Sequence, residues 1–246
     1  MIDILLVPIA LVIILVMLHA YFGRGILERG IIFTDLAIAQ FAALGSAISL
    51  GYFHQEYFYI LTLSFALLSA FLIAFASVRE LNLEAFIGLL YVLGASGIMM
   101  VLAHSAEGME HFKSLLASDI LFTPPSDLYK SAVIYGFIAF VLYKIYPKMR
   151  GFFRELTFFT LLAITVTSSV SLAGVLVVFV LLIAPALVAK SLNKGMIFSF
   201  IYGWIFSILA ILISYYYDFP TGYTLVFIGA LLSSITVLFN SNRRLS

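Results

Sequence analysis

A few short groups of residues carry the types and spacing that chemistry requires. His104, Glu107 and His111 stand at i, i+3 and i+7, on one face of a helix, with Glu110 adjacent. Two imidazoles and a carboxylate suit zinc, manganese or iron. His54 and Glu56 form a second, smaller pair. The other reading of both groups is ordinary solvated surface. Asp35 is the one formal charge well inside a long apolar stretch. A carboxylate in such a place is costly to keep and is a functional candidate by default. The other reading is an ion pair with Arg24 or Arg29. Gln40 lies five residues further on and offers a neutral amide oxygen, either to a path or to a neighbouring helix. Five residues turn a regular helix by about 140°, so Asp35 and Gln40 share a face only if that helix is distorted. His19 reads as a packing or interfacial histidine.

Other chemistries are excluded. The chain has no cysteine, which removes disulfides, thiol catalysis and Cys-type zinc or iron–sulfur sites. It has no GxxxxGK[ST] phosphate loop. The hydroxyls from Thr167 to Ser171 have no histidine in the same run, which argues against an intramembrane hydrolase. An ion-coupled carrier needs several buried ionisable groups, and Asp35 stands alone.

Composition shows what must position these residues. Of 246 residues, 64% are hydrophobic and 10% charged, at a mean hydropathy of +1.17. Soluble domains are about 45–50% apolar and about 25% charged. A soluble fold of this length cannot hide so much apolar surface. The expectation is an all-α polytopic membrane helix bundle, with residues 1–246 forming a single transmembrane domain. Apolar blocks predict about nine transmembrane helices, near residues 3–22, 31–51, 57–78, 85–104, 131–147, 157–170, 173–188, 196–217 and 222–240. The sixth and seventh divide one run from Thr157 to Ala189, with the turn expected at the polar cluster Thr167, Ser168, Ser169 and Ser171, followed by Gly174. Met1 to Leu18 lacks a basic leader and a cleavage site and reads as the first span.

Orientation follows from the Lys/Arg bias. With the N-terminus outside and the C-terminus cytoplasmic, eleven of the thirteen basic residues fall inside; only Lys113 and Lys130 remain outside. Acids then collect on the outer side, among them Glu56, Glu107, Glu110, Asp127 and Asp218. The segment Ser105 to Lys130 is partly apolar and breaks at Pro124-Pro125, which suggests a short helix lying on the bundle mouth.

Ser171 to Leu192 reads SLAGVLVVFVLLIAPALVAKSL. Proline is expected to end the span at Pro185, with Ala186 to Leu192 forming a short surface helix that needs a partner. This pattern resembles the permease subunits of metal-ion (zinc/manganese/iron) ABC transporters. RGILERGIIFTDLAIAQFAALG from Arg24 to Gly45, EAFIG from Glu84 to Gly88, LLASDILFTPPSDL from Leu115 to Leu128 and DFPTGYT from Asp218 to Thr224 agree with it, in order.

The resemblance implies a fold similar to vitamin B12-type importers and a subunit that is not itself an enzyme. It implies that Ala184, Pro185, Ala186, Leu187, Val188, Ala189 and Lys190 dock on ABC ATPase subunits, which use the ATP. Further implied partners are a second permease copy, an extracytoplasmic metal-binding protein and the lipid bilayer, with no nucleic acid. The implied setting is the cytoplasmic (inner) membrane of a prokaryote. No cofactor is expected to be permanently bound; the cargo is a divalent metal ion, zinc or manganese first and iron next, or else a metal chelate. Family members carry an Asp and a His four residues apart on the second helix, facing the path. Here Asp35 is followed at i+4 by Ala39, and Gln40 falls in the histidine's column. Asp218, Pro220 and Gly222 are read as an outer turn whose geometry is set by proline and glycine.

Overall fold

The structure is a computed structural model and describes residues 2–79, 81–103 and 120–242. Its helices are α1 (Ile2–Arg29), α2 (Thr34–Phe53), α3 (Phe58–Ser77), α4 (Leu83–Leu102), α5 (Pro125–Lys144), α6 (Gly151–Ala173), α7 (Val175–Ser191), α8 (Met196–Tyr217) and α9 (Thr221–Asn242). Short 3-10 turns at Ile120–Phe122 and Tyr146–Lys148 complete the described elements, which include no strand. Among the described residues, eight helices are long and apolar enough to cross a membrane. The ninth, α7, has 17 residues and reaches about 26 Å against a hydrocarbon core of about 30 Å.

The helices group into two compact units. The first holds α1, the start of α5, α7, α8 and α9. Its centre is α7, which packs on α1, α8 and α9. The sequence explains why: VLVVFVLLIAPALVAK is apolar all round, and a helix without a polar face must be buried on all sides. Small residues let the neighbours close in. A Cβ on Gly23 would overlap the Leu182 carbonyl, and one on Gly229 would lie 2.7 Å from Val180. Trp204 Nε1 donates across to the Ile13 carbonyl at 3.1 Å, tying α8 to α1. Ile120 is fully buried in the turn that packs on α1.

The second unit holds α2, α3, α4, the rest of α5 and most of α6. Here α2 packs on both α3 and α4. Gly45 admits the backbone of α3 at Leu61, and Gly94 admits α2 at Gln40. This is the small-residue packing used where the hydrophobic effect no longer drives helices together. An edge-to-face contact of Phe71 with Phe152, at 6.3 Å between centroids, joins α3 to α6.

Three local expectations are corrected. The first span does not stop at residue 22; α1 continues to Arg29 and includes Arg24 and Glu28, paired at 3.0 Å across one turn. An i,i+4 pair supports the helix, and Gly30, at φ +70°, ends it. The polar cluster at Thr167–Ser171 is helical. Ser168, Ser169 and Ser171 return their hydroxyls to carbonyls of the preceding turn, so the helix accommodates them. The break is Gly174 alone, at φ 84° and ψ 157°. Pro185 does not end a span either: α7 runs through it to Ser191. The missing N–H and the ring crowding are offset by packing, because Pro185 faces Gly203, where a Cβ would lie 3.2 Å from its Cγ. Val188 and Ala189 beyond it are buried.

Gly174 occupies a backbone region open essentially to glycine, worth about 1–3 kcal/mol of strain to another residue. Gly174→Ala is expected to lower the thermal midpoint of the purified protein by several degrees. Gly88→Ala, in a helix with nothing within 4 Å of the added carbon, should hold or raise it.

Candidate functional site

Asp35 is the second residue of α2 and is 1% exposed. Its Oδ1 has no hydrogen-bond partner. Arg24 is engaged by Glu28 on its own helix. Nearby, the Thr34 hydroxyl donates to the Ile31 carbonyl at 2.7 Å, closing the entry to the helix. A carboxylate in a first helical turn gains from the helix dipole, yet an unpaired buried charge costs far more than that gain.

The helix containing it is α-helical throughout, from Thr34 to Phe53. Asp35 and Gln40 therefore face different directions. Gln40 is half-buried and packs at the seam with α4, where a Cβ on Gly94 would lie 2.9 Å from its own. The face that Asp35 does occupy continues through Ala39, Ala42, Ser46 and Ser49, at i+4, i+7, i+11 and i+14. All four are buried, and the Ser49 hydroxyl has no partner. One face of α2 thus carries a carboxylate, two alanines and two hydroxyls over about 21 Å. Sequence reasoning missed the two serines. The signal was available in their spacing from Asp35.

Glu84 stands in the first turn of α4, which Asn82 caps by accepting from the Ala85 N–H at 3.1 Å. Glu84 is half-buried, with Oε2 unpartnered. His19 is fully buried on α1; its Nδ1–H donates to the Leu15 carbonyl at 2.7 Å, and Nε2 has no partner. His54 and Glu56 are exposed, and His54 closes α2 in the left-handed conformation. The expected group His104, Glu107 and His111, with Glu110, lies outside the described residues. Among the described residues, no three His, Asp or Glu side chains come together as a metal-binding group.

The expected docking segment is largely internal. Ala184, Pro185, Ala186, Val188 and Ala189 are buried, Leu187 is half-buried and Lys190 is exposed. Their apolar side chains are covered by α1, α8 and α9, so the surface at this point consists of Leu187, Lys190, Leu192, Asn193 and Lys194. In the turn after α8, Asp218 is the residue with positive φ, at 55°. Gly222 lies inside α9, so it does not set the turn. The Ser214 hydroxyl donates to the Phe219 carbonyl at 2.6 Å, and the Thr221 hydroxyl donates to Ser214 at 2.8 Å.

Apolar helices of membrane-spanning length, one of them with a buried polar face, are the architecture of a polytopic membrane protein. Residues 1–240 match the ABC 3 transport family, and the chain belongs to it. An uncharacterised membrane protein of Cyanophora paradoxa is 27% identical over 161 residues, covering 58% of this chain and 54% of that protein. A probable iron transport system membrane protein of Haemophilus influenzae is 25% identical over 185 residues, covering 67% and 64%. The match thus spans less than two thirds of either relative. In fold, the chain is similar to PsaBC from Streptococcus pneumoniae, solved with a Fab, at a TM-score of 0.75, 18% identity, and 95% and 90% coverage. It is also similar to a protein described as a metal-chelate type ABC transporter, inward-facing, at 0.70, 15% identity, and 94% and 85% coverage.

The turn at Asp218 yields a direct test. Asp218→Asn and Asp218→Gly keep access to the left-handed region and should leave stability within about 0.5 kcal/mol. Asp218→Val should cost about 1–2 kcal/mol, read as a lower melting temperature.

Proposed function

We propose that this chain is the transmembrane subunit of an ABC importer that moves a divalent metal ion across the cytoplasmic membrane of a prokaryote. Separate ATPase subunits supply the energy, a second permease copy completes the path, and an extracytoplasmic binding protein delivers the ion. The observation that carries this reading is Asp35, buried with its Oδ1 unpartnered at the head of a face of small and hydroxyl side chains. Its ionised form attracts a divalent cation, and the side chains that follow it on this face, Ala39 and Ala42, are small. Ser46 and Ser49 offer oxygens further along the same face. Gln40 belongs to packing in this reading.

The family membership and the fold likeness to ABC transporters support the partners. So does the sequence, which lacks a phosphate loop of its own. Docking of the ATPase falls on the end of α7 and the turn after it, at the half-buried Leu187 and Leu192 and the exposed Asn193.

Asp35→Asn removes the charge and keeps the volume. In vesicles holding the permease with its ATPase, uptake of manganese, zinc and ferrous ion should fall at least tenfold. The melting temperature should hold or rise, because a buried unpaired carboxylate is lost. Wild-type uptake by a folded Asp35→Asn protein would remove Asp35 from the path. For docking, Leu192→Asp should leave the bundle folded and reduce co-purification of the ATPase, whereas Val188→Asp, at a fully buried position, should prevent folding.

A further inference from the structure

The inner ends of α1, α7 and α8 enclose a groove lined by Arg24, Leu27, Glu28, Lys190, Lys194 and Ser199, with Ala186 and Ala189 in its wall. Three cations face one carboxylate there, and that carboxylate is already held by Arg24 at 3.0 Å. Lys190 Nζ donates to the Leu27 carbonyl at 3.0 Å, which fixes its position across the groove. The floor carries Ser199, 1% exposed, whose hydroxyl has no partner. Ser199 lies in the first turns of α8, and no side chain caps that helix at Gly195. An orphaned hydroxyl and the Lys194 ammonium therefore line the groove near the positive end of a 22-residue helix. Such an arrangement is built for an anion.

We infer that this groove is a binding site for the phosphate of an anionic membrane lipid. Lys194 and the Ser199 hydroxyl supply donors, and Arg24 and Lys190, held by Glu28 and the Leu27 carbonyl, add positive charge, which suits a phosphate with several acceptor oxygens. The depth is right as well. With 28 residues, α1 is about 42 Å long, against a hydrocarbon core of about 30 Å, so its end carrying Arg24 and Glu28 lies at headgroup level. The exposed line of α1 below the groove continues through Met17 to Leu6, each close to a whole number of turns from Arg24. This apolar line gives an acyl chain a bed next to the phosphate site. Leu27, Ala186 and Ala189 supply the apolar wall where glycerol would sit. Basic recesses between span ends are the usual place for such headgroups. The site does not involve Asp35 and stands whether or not that residue carries the ion.

Native mass spectrometry and thermal shift on the purified full chain test the inference, with phosphatidylglycerol, phosphatidylcholine and inorganic phosphate as probes. Phosphatidylglycerol should bind at least fivefold more tightly than phosphatidylcholine and raise the melting temperature. Lys194→Ala should weaken it at least fivefold and Ser199→Ala about threefold. Lys148→Ala, a basic residue of the other unit, should leave binding unchanged. Ser199→Ala removes an unsatisfied hydroxyl, so the lipid-free protein stays folded and its lost thermal shift reads the site itself. Equal binding of the two lipids, or equal loss in Lys148→Ala, would overturn the inference. So would inorganic phosphate at millimolar concentration reproducing the full shift, which would make the site one for free phosphate. If Lys194→Ala left lipid binding intact and instead released the ATPase subunit, the groove would belong to an acidic partner side chain, and the lipid reading would fail.

Discussion

The arrangement of the first unit depends on how closely α7 approaches its neighbours at three glycines. Gly23 meets the Leu182 carbonyl, Gly203 faces Pro185, and Gly229 lies against Val180. Each glycine opens one side of α7, and a short apolar helix is thereby enclosed on three sides. In a bilayer the surrounding lipid is as apolar as leucine, so this closeness, with its dispersion contacts, does what the hydrophobic effect does in water. The proline in α7 follows from the same constraint. Its ring fills the space that Gly203 leaves, and enclosure holds the remaining turns in line.

Against this well-packed background the unsatisfied atoms carry the information. Asp35 Oδ1, Ser49 Oγ, His19 Nε2 and Ser199 Oγ are all buried without a partner. Buried polar groups are normally satisfied, and an orphan marks a place where something else supplies the bond. Two of the four share a face of α2, and one lies on the floor of a basic groove. Other hydroxyls bond back within their own helix, as those of Ser69, Thr165 and Ser169 do, while Thr167 and Ser207 are further orphans inside helices.

Much of this was legible in the sequence because bilayer helices announce themselves by continuous apolarity. Among the described residues each helix overlaps an apolar block predicted for it, and the long run before Ala189 is divided, at Gly174. What failed was local. A cluster of serines looked like a turn, yet serine can pay its own hydrogen bond inside a helix, and only the left-handed region at Gly174 breaks one. Pro185 looked like an end because tertiary enclosure does not show in a string of residues. The docking segment looked exposed for the same reason. At the outer turn, glycine and proline drew attention away from Asp218, which takes the left-handed conformation. The Asp35 face was half-read: the carboxylate stands out by its charge, whereas Ser46 and Ser49 emerge only once the helix is known to be regular.

The overlong first helix has a consequence for biosynthesis. Its leading end carries an acid, Asp3, and its trailing end carries Arg24 and Arg29. Basic residues at one end of a span bias that end to stay on the cytosolic side during insertion, so the two arginines bias the direction in which α1 inserts. Arg24 therefore acts at two times in the life of the chain. In the nascent chain it is a topological anchor at the translocon, and in the mature protein it becomes a wall of the groove.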